Sequence, residues 1–139
     1  MSVRAPETLL DSTWDLRMDV WSLASTIFQL VTGEPPFDDF MATKDFLILE
    51  WIAMFGDVPE DWRKQAKELV GDLRADLYQG SLSSCLYEIY FSAETKAEFT
   101  EEDIELLGDL LTKMMCYLPK DRLSVKDILR HEWFAKNPF

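Results

Sequence analysis

Between Arg17 and Thr32 the chain reads RMDVWSLASTIFQLVT, with apolar side chains at Met18, Val20, Trp21, Leu23, Ala24, Ile27, Phe28, Leu30 and Val31. At 3.6 residues per turn those positions wrap around more than one face, so the pattern predicts a helix buried on most sides. Gly33 supplies the left-handed residue that ends such a helix, and Pro35 and Pro36 forbid its continuation. A helix of that kind needs other helices around it. In TKDFLILEWIAMFG, Thr43 stands as N-cap and Gly56 as stop, with Phe46, Leu49, Ile52 and Phe55 read as one apolar stripe. Pro59 to Leu69 predicts a short, mostly polar helix. From Val70 to Phe99 the pattern is least regular: Gly71, Gly80 and SLSS interrupt it, and Leu86, Ile89 and Tyr90 support one or two amphipathic turns. TEEDIELLGDLLTKMM opens on a capping-box-like Thr100-x-x-Asp103 and carries a Leu107, Leu110, Leu111, Met114 stripe. Ser124-x-x-Asp127 repeats the device before a final short helix, VKDILRHEWF. No run alternates convincingly at period two, so the predicted class is all-α.

At 139 residues the chain is one domain's worth, or a piece of a larger domain, and 47% hydrophobic with 13% aromatic residues makes it globular. Lys and Arg number 14 against 26 Asp and Glu, a formal charge of −12. Such a surface repels phosphate backbones and anionic membranes, so neither nucleic acid nor a membrane is expected as a partner, and basic partners are favoured. Cys85 and Cys116 stand alone, without a CxxC pair. The N-terminus lacks a basic segment followed by an apolar run, and the longest nearly apolar stretch, Phe46 to Phe55, carries Glu50 and is too short to span a bilayer. Together these features predict an intracellular protein, cytoplasmic or nuclear, with reduced thiols.

Candidate chemistry is sparse. The glycines at 33, 56, 71, 80 and 108 form neither GxGxxG nor a phosphate loop, so no local nucleotide cradle is expected. His131 is the single histidine, and with two distant cysteines it makes no zinc set. Its expected place is a helix end packed near Trp133. No catalytic, cofactor-binding or metal-binding residue is assigned. Between Glu94 and Asp109 lie seven acidic residues and one lysine, half of the excess negative charge. A solvated face with favourable charge at a helix N-terminus accounts for that run better than a docking groove for arginine-rich peptides does.

Three separate segments carry a resemblance. Ala5-Pro6-Glu7, DVWSLASTIFQLVTGEPPF (Asp19 to Phe37) and LPKDRLSVKDILRHEWF (Leu118 to Phe134) resemble, in order and rough spacing, the part of the eukaryotic protein kinase large lobe from the Ala-Pro-Glu motif onward. Arg4 before that motif is typical of the CMGC group, and FLILEWIAMFGDVPEDW is similar to SR-protein-kinase-like sequences, many of them fungal. The resemblance implies the C-terminal helical subdomain of the kinase fold over residues 1–139, with the small lobe, catalytic loop and metal-binding motif absent. It implies a structural ion pair between Glu7 and Arg122, anchoring of the spine helix by Asp19 and Trp21, and Arg4 as a substrate-side residue. In the family the equivalent of Asp19 accepts hydrogen bonds from the catalytic loop. This chain departs from the pattern at Ala24, Ser25 and Gln29, where the family has Gly, Cys and Glu, and at Glu132 in place of Pro.

Phosphoryl transfer needs a Gly-rich cover, a strand lysine with its helix glutamate, a His-Arg-Asp loop and an Asp-Phe-Gly for magnesium, and in the family all lie before Ala-Pro-Glu. The chain by itself is therefore expected to hold neither ATP nor magnesium and to be inactive, while both are implied for the complete kinase. The first functional reading is a segment of a serine/threonine kinase acting on protein substrates, arginine/serine-rich ones in the SR-type branch, with the missing N-terminal kinase portion as its partner. The second is a stand-alone, non-catalytic interaction module whose acidic surface binds basic peptides or another kinase lobe.

Overall fold

The computed structural model describes residues 3–11, 13, 15–37, 43–72, 80–94 and 98–137. Among these, the regular elements are helices: α1 (Glu7–Leu10), α2 (Arg17–Thr32), α3 (Lys44–Phe55), α4 (Glu60–Val70), α5 (Leu82–Ser92), α6 (Glu101–Met114), a 3-10 turn at Pro119–Asp121, α7 (Val125–Leu129) and α8 (Glu132–Lys136). No strand occurs among the described residues. The irregular stretch of the sequence falls partly at 73–79 and 95–97, outside the described residues.

Helix α2 lies at the centre. Val20, Trp21, Ala24, Ser25 and Phe28 are buried along it, and Gly33 ends it at φ 81° with its N–H on the Gln29 carbonyl. Trp21 organises the surrounding packing: its ring stacks on Phe37 at 6.2 Å and meets Trp51 edge-on at 6.1 Å and Phe55 at 5.4 Å. Such pairs add about 0.5–1.5 kcal/mol each beyond the apolar area they remove from water. The indole N–H of Trp21 finds no acceptor, so this ring contributes through its faces and edges and not through a hydrogen bond.

Helix α3 corrects the expected stripe. Its buried residues are Leu47, Ile48, Trp51 and Ile52, whereas Phe46 is exposed and Leu49 and Phe55 are half-buried. The segment is apolar almost all round, so its periodicity does not say which side faces the core; packing against α2 and α4 decides that. Helix α5 is a second correction, an eleven-residue helix in place of one or two turns. Ser81 caps it by accepting the Ser84 N–H, which recasts the SLSS run from a breaker into a helix start. Helix α6 has the anticipated capping box, with Thr100 and Asp103 bonding reciprocally, and Leu107, Leu110, Leu111 and Met114 all buried. Gly108 lets α5 approach: a Cβ there would lie 2.7 Å from Ser83 Oγ and 3.2 Å from its Cα. The last segment is two short helices, because His131 leaves helical geometry (φ −64°, ψ 144°) and caps the second.

Candidate functional site

Glu7 opens α1 on Pro6, whose φ of −56° suits a helix entry, and its side chain is fully buried. Arg122 follows the 3-10 turn, far along the chain, and meets it: Nη1 donates to Oε1 and Nη2 to Oε2, each at 2.7 Å. The remaining donors are also used. Nε bonds the Cys116 carbonyl at 2.8 Å, Nη1 the Arg17 carbonyl at 2.9 Å and Nη2 the Tyr117 carbonyl at 3.0 Å. The guanidinium lies 5.2 Å from the centroid of the Trp21 ring. One side chain thus ties α1, the start of α2 and the end of α6 together, with all of its N–H groups paired and both ions fully out of solvent.

Trp21 is wholly buried, whereas Asp19, two residues earlier on α2, is exposed. It lies on a face of unusual character. Leu16, the N-cap, and Leu23 and Leu30 recur every seven residues there and are 84%, 46% and 79% exposed, on the side of α2 opposite its buried Val20, Trp21, Ala24, Ser25 and Phe28. Arg4 is exposed at the N-terminal side, where Ser22 Oγ of α2 donates to the Val3 carbonyl at 2.8 Å.

A cavity of about 480 Å³ opens between α3 and α5, walled by Phe37, Leu49 and Met54 with Cys85, Glu50 and Glu88. Burial, then the charges of Glu88 and Glu34, push the Cys85 thiol above its ordinary pKa. The cavity is therefore an apolar pocket under negative potential, suited to a cation on an aliphatic stem. Sequence reading missed it because it depends on α5, whose SLSS start reads as a break.

In the acidic run Asp103 is buried, which a wholly solvated face does not anticipate. Several of its carboxylates are paired within the fold: Glu102 with Lys136, Asp103 with Thr100 and Asn137, and Asp109 with Lys113 and His131. Among the described residues no group of three or more His, Cys, Asp or Glu is arranged to hold a metal ion. No helix among the described residues is long and apolar enough to cross a membrane.

The protein kinase domain family matches residues 2–134. The serine/threonine-protein kinase SRPK of Physarum polycephalum is 30% identical, over 97% of this chain and 33% of that protein. The probable serine/threonine-protein kinase sky1 of Dictyostelium discoideum is 33% identical, over 97% of this chain and 22% of its own length. SRSF protein kinase 3 of Mus musculus is 29% identical, over 94% and 24%. The chain spans a third or less of the length of these curated relatives.

Proposed function

Since the chain belongs to the protein kinase family, in its SR-protein-kinase-like branch, we propose that residues 1–139 are the C-terminal helical part of a serine/threonine kinase domain. The complete enzyme transfers phosphate from ATP to Ser or Thr of protein substrates, and ATP, magnesium and the catalytic base belong to a portion outside these residues. The observation that carries this reading is the exposed Leu16, Leu23, Leu30 face of α2. A core helix that leaves three large leucines of one face in water, with Asp19 and Thr26 between them, is suited to being covered. The missing kinase portion is the cover proposed here, with Asp19 on the same face available to accept its hydrogen bonds. Arg4 is proposed to line the substrate side, and the protein is proposed to work in the cytoplasm or nucleus.

The proposed substrates are arginine/serine-rich. Two facts support that class: the relatives are SR-type kinases, and the α3–α5 cavity offers Glu50 and Glu88 beside apolar walls. The test is anisotropy titration of a labelled arginine/serine-rich peptide against residues 1–139. Binding should weaken as salt rises and fall at least tenfold in Glu50→Gln/Glu88→Gln. Equal binding by wild type and variant would remove the cavity from the proposal.

A further inference from the structure

Charge divides unevenly along the chain. Residues 1–112 carry eight Lys and Arg against 23 Asp and Glu, whereas residues 113–139 carry six against three. Within this basic stretch lies α7, whose buried residue is Ile128. At about 100° per residue, Val125, Leu129, Lys126 and Arg130 follow one another round an arc of about 140° turned away from Ile128. Arg130 belongs to that arc because, as C-cap, it keeps right-handed helical geometry. Val125 and Leu129 are 63% and 64% exposed, and both cations are exposed beside them. Elsewhere in the same stretch Lys113 and Lys136 each find a carboxylate, on Asp109 and Glu102. Among the described residues Lys126 and Arg130 form no ion pair. Asp127, the acidic residue of α7, is engaged by the Ser124 hydroxyl at 2.5 Å.

We propose that this face of α7 docks a short acidic segment of a partner protein. Aliphatic side chains of that segment meet Val125 and Leu129, and flanking Asp or Glu pair with Lys126 and Arg130. Charge complementarity sets the sign of the partner. The aliphatic pair sets its class: Val125 and Leu129 would add nothing to a phosphate backbone, which the formal charge of −12 also repels. Size sets its form, because two aliphatic and two cationic side chains cover far less than the about 1,000 Å² of a stable interface between folded proteins. A linear segment fits such a patch, and a second copy of this chain does not. The same segment would be repelled by Glu50 and Glu88 in the α3–α5 cavity, so the two sites select opposite charges. Both ion pairs lie in the open, so binding is modest and weakens with salt.

The test is anisotropy titration of residues 1–139 into a labelled peptide of Glu and Leu. Controls are the same peptide with Ser for Leu and an oligonucleotide of matched charge. The Leu-containing peptide should bind, and binding should weaken as salt rises. Affinity should fall on the order of tenfold in Lys126→Glu/Arg130→Glu and again in Val125→Ser/Leu129→Ser. It should hold in Lys64→Glu/Lys67→Glu, which makes the same change of net charge at exposed positions of α4. Circular dichroism checks that each variant is folded, and the comparison of the three ligands on the wild-type chain needs no variant. No binding of the Leu-containing peptide overturns the proposal, as does an equal loss in the α4 variant, which reduces the effect to net charge. Equal binding of the Ser peptide or of the oligonucleotide also overturns it, because the aliphatic pair would then play no part.

Discussion

Replacing Arg122 by Ala removes one partner of a pair whose side chains are both 0% exposed. Glu7 would remain as a buried, uncompensated carboxylate, and the carbonyls of Cys116, Arg17 and Tyr117 would each lose a donor. Breaking a buried pair from one side costs about 3–5 kcal/mol. Against a typical domain stability of about 5–15 kcal/mol, that is enough to unfold a marginal chain. Arg122→Lys restores the charge but brings three donors where five bonds are made, so it should cost less, about 2 kcal/mol. The double variant Glu7→Met/Arg122→Met removes both ions and fills the space with apolar atoms, and should recover a good part of the loss. Urea unfolding followed by circular dichroism measures all three. If Arg122→Ala costs less than about 1 kcal/mol, the pair behaves as an exposed surface bridge does, and the reasoning from its burial fails.

Gly108→Ala should destabilise by about 1–3 kcal/mol through the clash with Ser83, despite alanine's better helix propensity, and urea unfolding would read it. Thr100→Ala should cost about 1 kcal/mol in the same assay through loss of the α6 cap. It also has a pH signature, because hydrogen bonds from the Thr100 side chain and then its backbone hold the Asp103 carboxyl below its ordinary pKa. A lowered folded-state pKa adds stability that is present above about pH 4 and lost as pH falls through the lower folded value, so the wild-type advantage should shrink in acid. Leu23→Glu/Leu30→Glu should lower ANS fluorescence of residues 1–139 while moving stability by no more than about 0.5 kcal/mol, since both side chains are exposed. Unchanged ANS binding would mean that this face is not the adhesive one.

Helices with a strong local signal at both ends were legible from sequence. Helix α2 runs from Arg17 to Thr32 because a broad apolar face meets a glycine stop, and α6 starts at Glu101 because Thr100 and Asp103 close a capping box. Three features were not legible, each for a physical reason. Helix α3 is apolar nearly all round, so only its neighbours select Leu47, Ile48, Trp51 and Ile52 as the buried face. Helix α5 follows Gly80 and a serine run, residues that serve equally as turn and as N-cap. The break between α7 and α8 depends on the His131 ring reaching Asp109, a contact across 22 residues of sequence. As for the site, Glu7 and Arg122 came from the kinase resemblance, not from periodicity. The cavity with Glu50 and Glu88 needed the tertiary fold.

The central claim is that these residues belong to a larger, catalytically complete kinase. Its most direct test is the intact mass of the endogenous protein, captured with an antibody to the Pro119–Phe134 region and assayed for transfer of phosphate to an arginine/serine-rich peptide. A species much heavier than 16.2 kDa, containing peptides upstream of Arg4 and active in that assay, is the predicted result. A species of 16.2 kDa that transfers no phosphate would contradict it.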